Sequence, residues 1–532
     1  MELHQNLLSP ELSHRLAAID IGTNSMRLII AEALRDGNYR ILDEEKESTR
    51  LGAHLSSTGK LDPEAVKHSI GALRRMKQIA EGYQVRETRV IATCAVREAT
   101  DGAAFRRQVK REVGLKVECI SAQKEAHLAF ASVARAFDLK GKEVAVADIG
   151  GGSTEIVLAS GGLIEAIYTT PLGAVRLTEL YGNPGGTWGD NYDKLVRGID
   201  KLLKQHTEKP VFQPHLLIGS GGTFTTLAEM IMAQKKKVGL PIRGYEINRA
   251  EITHLVERLR KMPLKNRRTV PGLSADRVDI IVSGLAVIDR LMRHFKVNRL
   301  QVHDRGVRDG LLLSMLDAAV GKPEVNPHDR EAAIERFATV CGTDLEHGKQ
   351  VARLSGKIFS QLCEPFALDP EDRPFLEAAA RLQDAGYLIN YDQHHKHSYH
   401  LILNSRLAGF QPHELQLVAN IARYHRGSTP KKKHKNFRQL SATDQERVCR
   451  LAAILRIAGG LDRSHSQQVQ EVEVRTADGE TSMTVVADPL PDADLWGAQR
   501  RADLFEEAFA TRLTVEWRRP GHVERPVAEA AS

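Results

Sequence analysis

A chain of 532 residues, 42% hydrophobic and 27% charged, has room for three or four domains and is too ordinary in composition for a disordered, fibrous or membrane-embedded protein. No run approaches the ~20 apolar residues of a membrane span, and the N-terminal MELHQNLLSPELSHR has no signal-peptide core. The five cysteines are scattered and form no CxxC pair, so a cytoplasmic protein with reduced thiols is expected; a net charge of +7 favours a polyanionic ligand without choosing one.

The first element with chemical content is AIDIGTNSMRLII, from Ala18 to Ile30. Apolar alternation on both sides of a Gly-containing turn predicts a β-hairpin, with Asp20 closing the first strand. The chain to Leu55 is expected to complete a sheet. A helix then starts at Asp62, the cap, and Pro63, the first helical position; Val66, Ile70, Leu73, Met76 and Ile79 mark its apolar face. VRETRVIATCAVREA reads as a strand through Val90 and Ile91 leading into a loop that carries Arg97. A helix is expected over Phe105 to Val113, then a strand in LKVECIS, then a helix from Gln123 to Phe137 with Glu125 in its first turn. This alternation predicts an α/β lobe.

The stretch AVADIGGGSTEIVLA, Ala145 to Ala159, repeats the first hairpin. Both copies read D-I-G-x-x-S, which pairs Asp20 with Asp148, Gly22 with Gly150 and Ser25 with Ser153. Glycines at 150, 151 and 152 let backbone amides approach an anion, and an aspartate at the strand end can hold a metal that bridges phosphate oxygens. Two such hairpins predict a duplicated fold whose lobes face one cleft. The second lobe continues with a strand in GGLIEAIYTT and a helix in PLGAVRLTELY. In HLLIGSGGTFTTLAEMI a strand, a turn and a helix would bring Gly219, Gly221, Gly222 and a helix N-terminus to a phosphate or nucleotide. RVDIIVSGLAVIDRLMRHF reads as a helix, and NRLQVHDRGVRDGLLLSML as strand, loop and helix. Domains are expected at 1–138 and 139–318, with a linker at 319–330 and a mainly helical domain with a short α/β tail at 331–532; the last residues, PVAEAAS, are expected to be disordered.

Together, IDIGTNSMRLII, ATCAVREA, ISAQKEAHLAF, DIGGGSTE and DRGVRDGLL resemble, in order, the motifs of the exopolyphosphatase/guanosine pentaphosphate phosphatase family within the actin–Hsp70–sugar kinase superfamily. The resemblance implies a two-lobed actin-like (ribonuclease H-like) α/β unit. It also implies hydrolysis of a terminal phosphoanhydride with Mg2+ or Mn2+, on inorganic polyphosphate or on guanosine pentaphosphate. Residue by residue, it makes Glu125 the general base, Arg97 a bidentate phosphate clamp, and Asp148 and Glu155 the metal carboxylates. Asp20, Thr23, Asn24, Ser25, Gly150, Gly151, Ser153, Gly221 and Gly222 would hold phosphate. The glutamate-rich segment departs from the family pattern, with Ala122-Gln123-Lys124 preceding Glu125. A homodimer is compatible with the resemblance.

Basic runs at Lys235–Lys237, Arg267–Arg268 and Lys431–Lys435 read mainly as solvated faces. With 5% aromatics and none interleaved among them, they argue against specific nucleic-acid binding. DLEHGKQVARLSGKIF, AARLQDAGYLINYDQHHKHSYHLILNS, ARYHRG and LAAILRIAGGLDRSH resemble a helical HD-type domain with a His-rich loop between His394 and His400. That resemblance places His347, Asp384, His397 and His425 at its metal-ligand positions. Gln383 and Gly459 stand where a histidine and an aspartate belong, with Asp462 retained, so the resemblance implies histidines that are structural or polyanion-binding rather than a second metal-dependent hydrolase.

Overall fold

The computed structural model describes residues 14–34, 39–183, 185–207, 210, 212–236, 240–320, 329–405, 407–477 and 479–521. Most of the expected linker, Lys237 and the C-terminal PVAEAAS lie outside these residues. The chain forms two compact units, residues 1–327 and 328–532.

In the N-terminal unit the first sheet is built from β1 (Arg15–Ile21), β2 (Met26–Ala33), β3 (Tyr39–Glu47), β4 (Glu87–Ala92) and β5 (Val117–Cys119), in the order β3-β2-β1-β4-β5. The second contains β6 (Glu143–Ile149), β7 (Thr154–Ser160), β8 (Leu163–Thr170), β9 (Leu216–Ser220), β10 (Glu246–Asn248) and β11 (Arg299–Val302). Its order from the β8 edge is β8-β7-β6-β9-β11, the same as the first sheet, with β10 added beyond β11. Strand sense repeats as well: β1–β2 and β6–β7 are antiparallel, whereas β1–β4 and β6–β9 are parallel. The duplication read from two short motifs therefore extends to whole sheets.

Both hairpins close by the same bond, Gly22 N to the Ser25 carbonyl at 3.1 Å and Gly150 N to the Ser153 carbonyl at 3.0 Å. The register sets Asp20 opposite Arg27 and Asp148 opposite Glu155. Cross-strand partners project from the same face, so one copy pairs opposite charges at its mouth and the other pairs two acids.

Two helices join the lobes. Helix Ala122–Ala136 is capped by Ser121, whose Oγ accepts from Lys124 N at 3.1 Å. It buries Ala126, Phe130 and Val133 against Val144, Val146 and Ile218 of the second sheet. Its Leu128 and Ala129 join Leu16, Ala18 and Ile29 of the first. Helix Val307–Val320 lies on the first sheet through Leu311, Leu312 and Met315. The two helices meet at Gly310, where a Cβ would fall on the backbone of Leu128.

The predicted cap at Asp62 is present, accepting from Ala65 N at 2.8 Å. Arg97 lies on a short helix, Cys94–Glu98, where a loop is expected. Arg267, read as part of a solvated basic run, is buried and donates to the carbonyls of Val278 (3.1 Å) and Gly186 (3.3 Å).

The C-terminal unit is helical up to Gly460, the three longest helices among its described residues being Leu345–Leu362, Pro412–Arg423 and Ala442–Gly460. A three-stranded sheet follows, β12 (Val469–Ala477), β13 (Glu480–Ala487) and β14 (Arg512–Arg518), with two short helices before β14. The expected His-rich loop is a helix, His394–Leu403. His394, Ser398, Tyr399 and Ile402 recur at helical spacing and are buried. The polar character of the run hides that stripe. No helix among the described residues is long and apolar enough to cross a membrane.

Candidate active site

Both hairpins, the 221–222 turn and the segment Asp304–Asp309 line one cavity of the N-terminal unit. Asp20, Thr23, Asn24, Ser25, Glu125, Asp148, Gly150, Gly151, Ser153, Gly221 and Gly222 all face it. Arg97 and Glu155 stand behind this lining. Gly221 is required by the backbone: its φ is +95°, and a Cβ there would come within 2.6 Å of Asp148 Oδ1. The amide of Gly150 is spent on closing its turn. Those of Gly151 and Gly152 make no hydrogen bond among the described residues and remain for an anion.

Four carboxyl groups converge at the base of the cavity, and burial raises the pKa of each. Asp20 is pushed up to about 6, burial and Asp148 outweighing Arg27. Glu125 is pushed up to about 7, its burial outweighing the pull of Arg97. Asp148 is raised by burial. Glu155 is raised well above the usual range, first by burial and then by Glu125. Asp20 Oδ1 and Glu155 Oε1 are buried with no hydrogen-bond partner. Acidic oxygens gathered here, two of them without a donor, form an environment for a hard divalent cation, which would pull down the pKa values of the carboxylates that hold it.

Arg97 is not among the residues that line the cavity. Its Nη1 donates to Glu125 Oε2 at 2.9 Å and to the Ile120 carbonyl at 3.0 Å, which fixes the glutamate. The cationic surface comes from arginines outside the sequence-derived set, Arg27, Arg277, Arg305 and Arg308. Arg305 and Arg308 are held by Glu44, the former at 2.6 Å. Arg27 and Arg277 make no ion pair among the described residues. Burial and Arg27 lower the Arg277 pKa to about 10, so two guanidinium groups crowd the cavity without a carboxylate on either. Arg27 lies in β2, where a single arginine carries no pattern, and Arg277 carries no local signal in the sequence. Cys94 also lines the cavity, but burial and Glu98 push its thiol up to about 12, which keeps it protonated and unsuited to nucleophilic attack.

In the C-terminal unit, His347 Nε2 and His425 Nε2 each lie 3.7 Å from the Asp384 carboxylate. His397 is not the third imidazole. That place belongs to His394, with Nε2 at 3.2 Å from Asp384 Oδ1 and 3.3 Å from His425 Nε2, because the helix turns residue 394 inward. One ligand atom each from Asp384, His394 and His425 lie within 4.8 Å of one another. His347 Nδ1 is bonded to buried Asp462 at 2.8 Å, and Gln383 Nε2 lies 3.3 Å from His347 Nε2.

Comparison with known proteins places this arrangement. Residues 29–319 match the Ppx/GppA phosphatase family and residues 330–494 match Ppx/GppA phosphatase, domain III. A guanosine-5'-triphosphate,3'-diphosphate pyrophosphatase of Pseudoalteromonas translucida is 27% identical over 422 residues, covering 78% of this chain and 81% of the relative. Its counterpart from Vibrio campbellii is 25% identical over 496 residues, covering 90% and 94%. Among solved structures, an exopolyphosphatase from Cytophaga hutchinsonii is similar at 26% identity and a TM-score of 0.54, over 57% of this chain and 98% of that one. A duplicated actin-like fold, an acid-floored cavity between its hairpins and a match over more than half the chain lead to one assignment: the protein belongs to the Ppx/GppA phosphatase family.

Proposed function

We propose that the chain is an exopolyphosphatase, in which water attacks the terminal phosphorus of inorganic polyphosphate and orthophosphate leaves. The observation that carries this reading is Glu125, a carboxyl group 7% exposed, facing a cavity lined by two phosphate hairpins, with its pKa raised to about 7. A base of that pKa accepts a proton from water at neutral pH and releases it again each cycle. Arg97 orients it, and the neutral thiol of Cys94 leaves water as the nucleophile.

Asp148 and Glu155 would hold Mg2+ or Mn2+, which when bound neutralises phosphate charge and orients the chain end. Asp20, an acid beside Asp148, suits that cation better than it suits phosphate. The free amides of Gly151 and Gly152, the unpartnered Asn24 side chain and the guanidinium groups of Arg27 and Arg277 would bind the phosphoryl oxygens in line with the water. The second reading, hydrolysis of guanosine pentaphosphate to the tetraphosphate, is favoured by the names of the two bacterial relatives. Orthophosphate release with Mg2+ from long-chain polyphosphate and from guanosine pentaphosphate separates the two. Polyphosphate should have the higher kcat/KM; preference for the pentaphosphate would transfer the assignment to the second reading, and release from neither would remove both.

A further inference from the structure

A cavity of about 420 Å3 opens over the Asp384 cluster of the C-terminal unit, within the usual small-molecule range of roughly 300–1,000 Å3, and the hydrolysis described above makes no use of it. Five arginines line it, Arg426, Arg456, Arg463, Arg500 and Arg501, against one acidic residue, Asp384. Three imidazoles already surround that carboxylate, the nearest at 3.2 Å. Arg456 is 6% exposed; its Nη1 donates to the Gly427 carbonyl at 3.1 Å and its Nη2 to Asp503 at 3.3 Å, while its Nε is buried without a partner. The Arg501 side chain makes no ion pair or hydrogen bond among the described residues, its backbone amide alone bonding to the Ala498 carbonyl at 3.0 Å. Burial, together with Arg456, Arg463 and Arg426, draws its pKa down to about 10. Gly459 belongs to the same feature: the atom nearest a Cβ there would be Arg501 Nη1, at 3.5 Å. Guanidinium groups collected in a half-buried space repel one another until an anion joins them, and their planar forks suit phosphate oxygens.

The rim of the cavity is aromatic. Tyr387, Tyr391 and Trp496 line it and are 39%, 67% and 54% exposed. The tyrosine rings are nearly parallel, 6° apart with centroids at 5.6 Å. Arg426 lies 6.0 Å over Tyr391, and Arg500 5.1 Å over Trp496. Exposed flat rings beside guanidinium planes suit a planar base. A bare polyphosphate would engage the arginines and leave the rings in water. The donor set of Asp384, His394 and His425 would suit a lone cation, but five arginines oppose one.

We propose that this cavity is a nucleotide site belonging to the C-terminal unit, with the phosphates on Arg456, Arg463 and Arg501 and the base against the aromatic rim. It is independent of which substrate the N-terminal cavity hydrolyses. The test is photolabelling of the full chain with 8-azido-guanosine diphosphate in EDTA, followed by peptide mapping, with calorimetric binding of guanosine diphosphate as the second readout. The expected result is saturable label in peptides containing Tyr387–Tyr391 or Trp496, displaced by guanosine diphosphate at roughly tenfold lower concentration than by pyrophosphate. Tyr391→Ala and Arg463→Ala, both at exposed side chains, should each weaken binding at this site about tenfold without lowering Tm. Label confined to residues 14–320, or binding unchanged by both substitutions, would overturn the proposal. Equal competition by pyrophosphate would reduce the site to one for phosphate alone and overturn the nucleotide assignment.

Discussion

Glu155 shows how far the cleft chemistry rests on single side chains. It is 2% exposed, lies opposite Asp148 in the register and leaves Oε1 without a partner. Burial and Glu125 raise its pKa well above the usual 4.5, so the folded protein retains a proton that the unfolded chain releases near that value. Stability contributed by this group is therefore full below about pH 4.5 and lost as pH rises through the folded pKa. In EDTA, Glu155→Gln is expected to gain in Tm over the parent between pH 5 and pH 8. Millimolar Mg2+ should cancel that gain by stabilising the parent alone. Scanning fluorimetry at the two pH values checks both; an offset independent of pH and of Mg2+ would mean that Glu155 neither titrates in burial nor meets the cation. Of these residues, the aspartates and glycines were legible in the sequence because strand ends and tight turns restrict what can stand there. Arg27 and Arg277 were not, since a lone arginine becomes a cavity residue only through the packing of distant elements.

At the scale of elements, the crossing of helices Ala122–Ala136 and Val307–Val320 ties the two lobes together. Gly310 is its closest point, and Gly310→Ala drives a methyl group into the backbone of Leu128. A cost of about 1–3 kcal/mol is expected, seen as a lower urea midpoint for the N-terminal unit with the m-value unchanged. An unaltered midpoint would contradict so close a crossing. The hairpins, the Asp62 cap and most helices could be read from periodicity and capping residues. The crossing could not, because nothing local shows a glycine meeting a helix more than 180 residues earlier in the chain. Short helices failed for another reason: Cys94–Glu98 has too few turns for a pattern, and His394–Leu403 carries its buried stripe under a run of histidines.

At the scale of the whole molecule, the apolar clusters of both lobes are complete between Leu16 and Leu316. A fragment of residues 1–320 should therefore fold with its own cooperative transition and release orthophosphate from tripolyphosphate; a folded but inactive fragment would show that the C-terminal unit contributes to the chemistry. Across the cleft, Lys46 meets Asp276 at 2.6 Å and Arg50 meets Asp279 at 2.9 Å. These pairs are partly exposed, and such contacts are worth at most about 1 kcal/mol each, weak enough for the lobes to part as substrate enters. The duplicated fold was legible in its two D-I-G-x-x-S copies; the cross-cleft pairs were not, since each joins charges over 220 residues apart. What the fold converges on is Glu125, and the most direct measurement is single-turnover orthophosphate release by Glu125→Gln with polyphosphate and Mg2+. The expected result is a rate lower by roughly 10² to 10⁴ with polyphosphate affinity nearly unchanged. A rate within twofold of the parent would contradict Glu125 as the base that activates water.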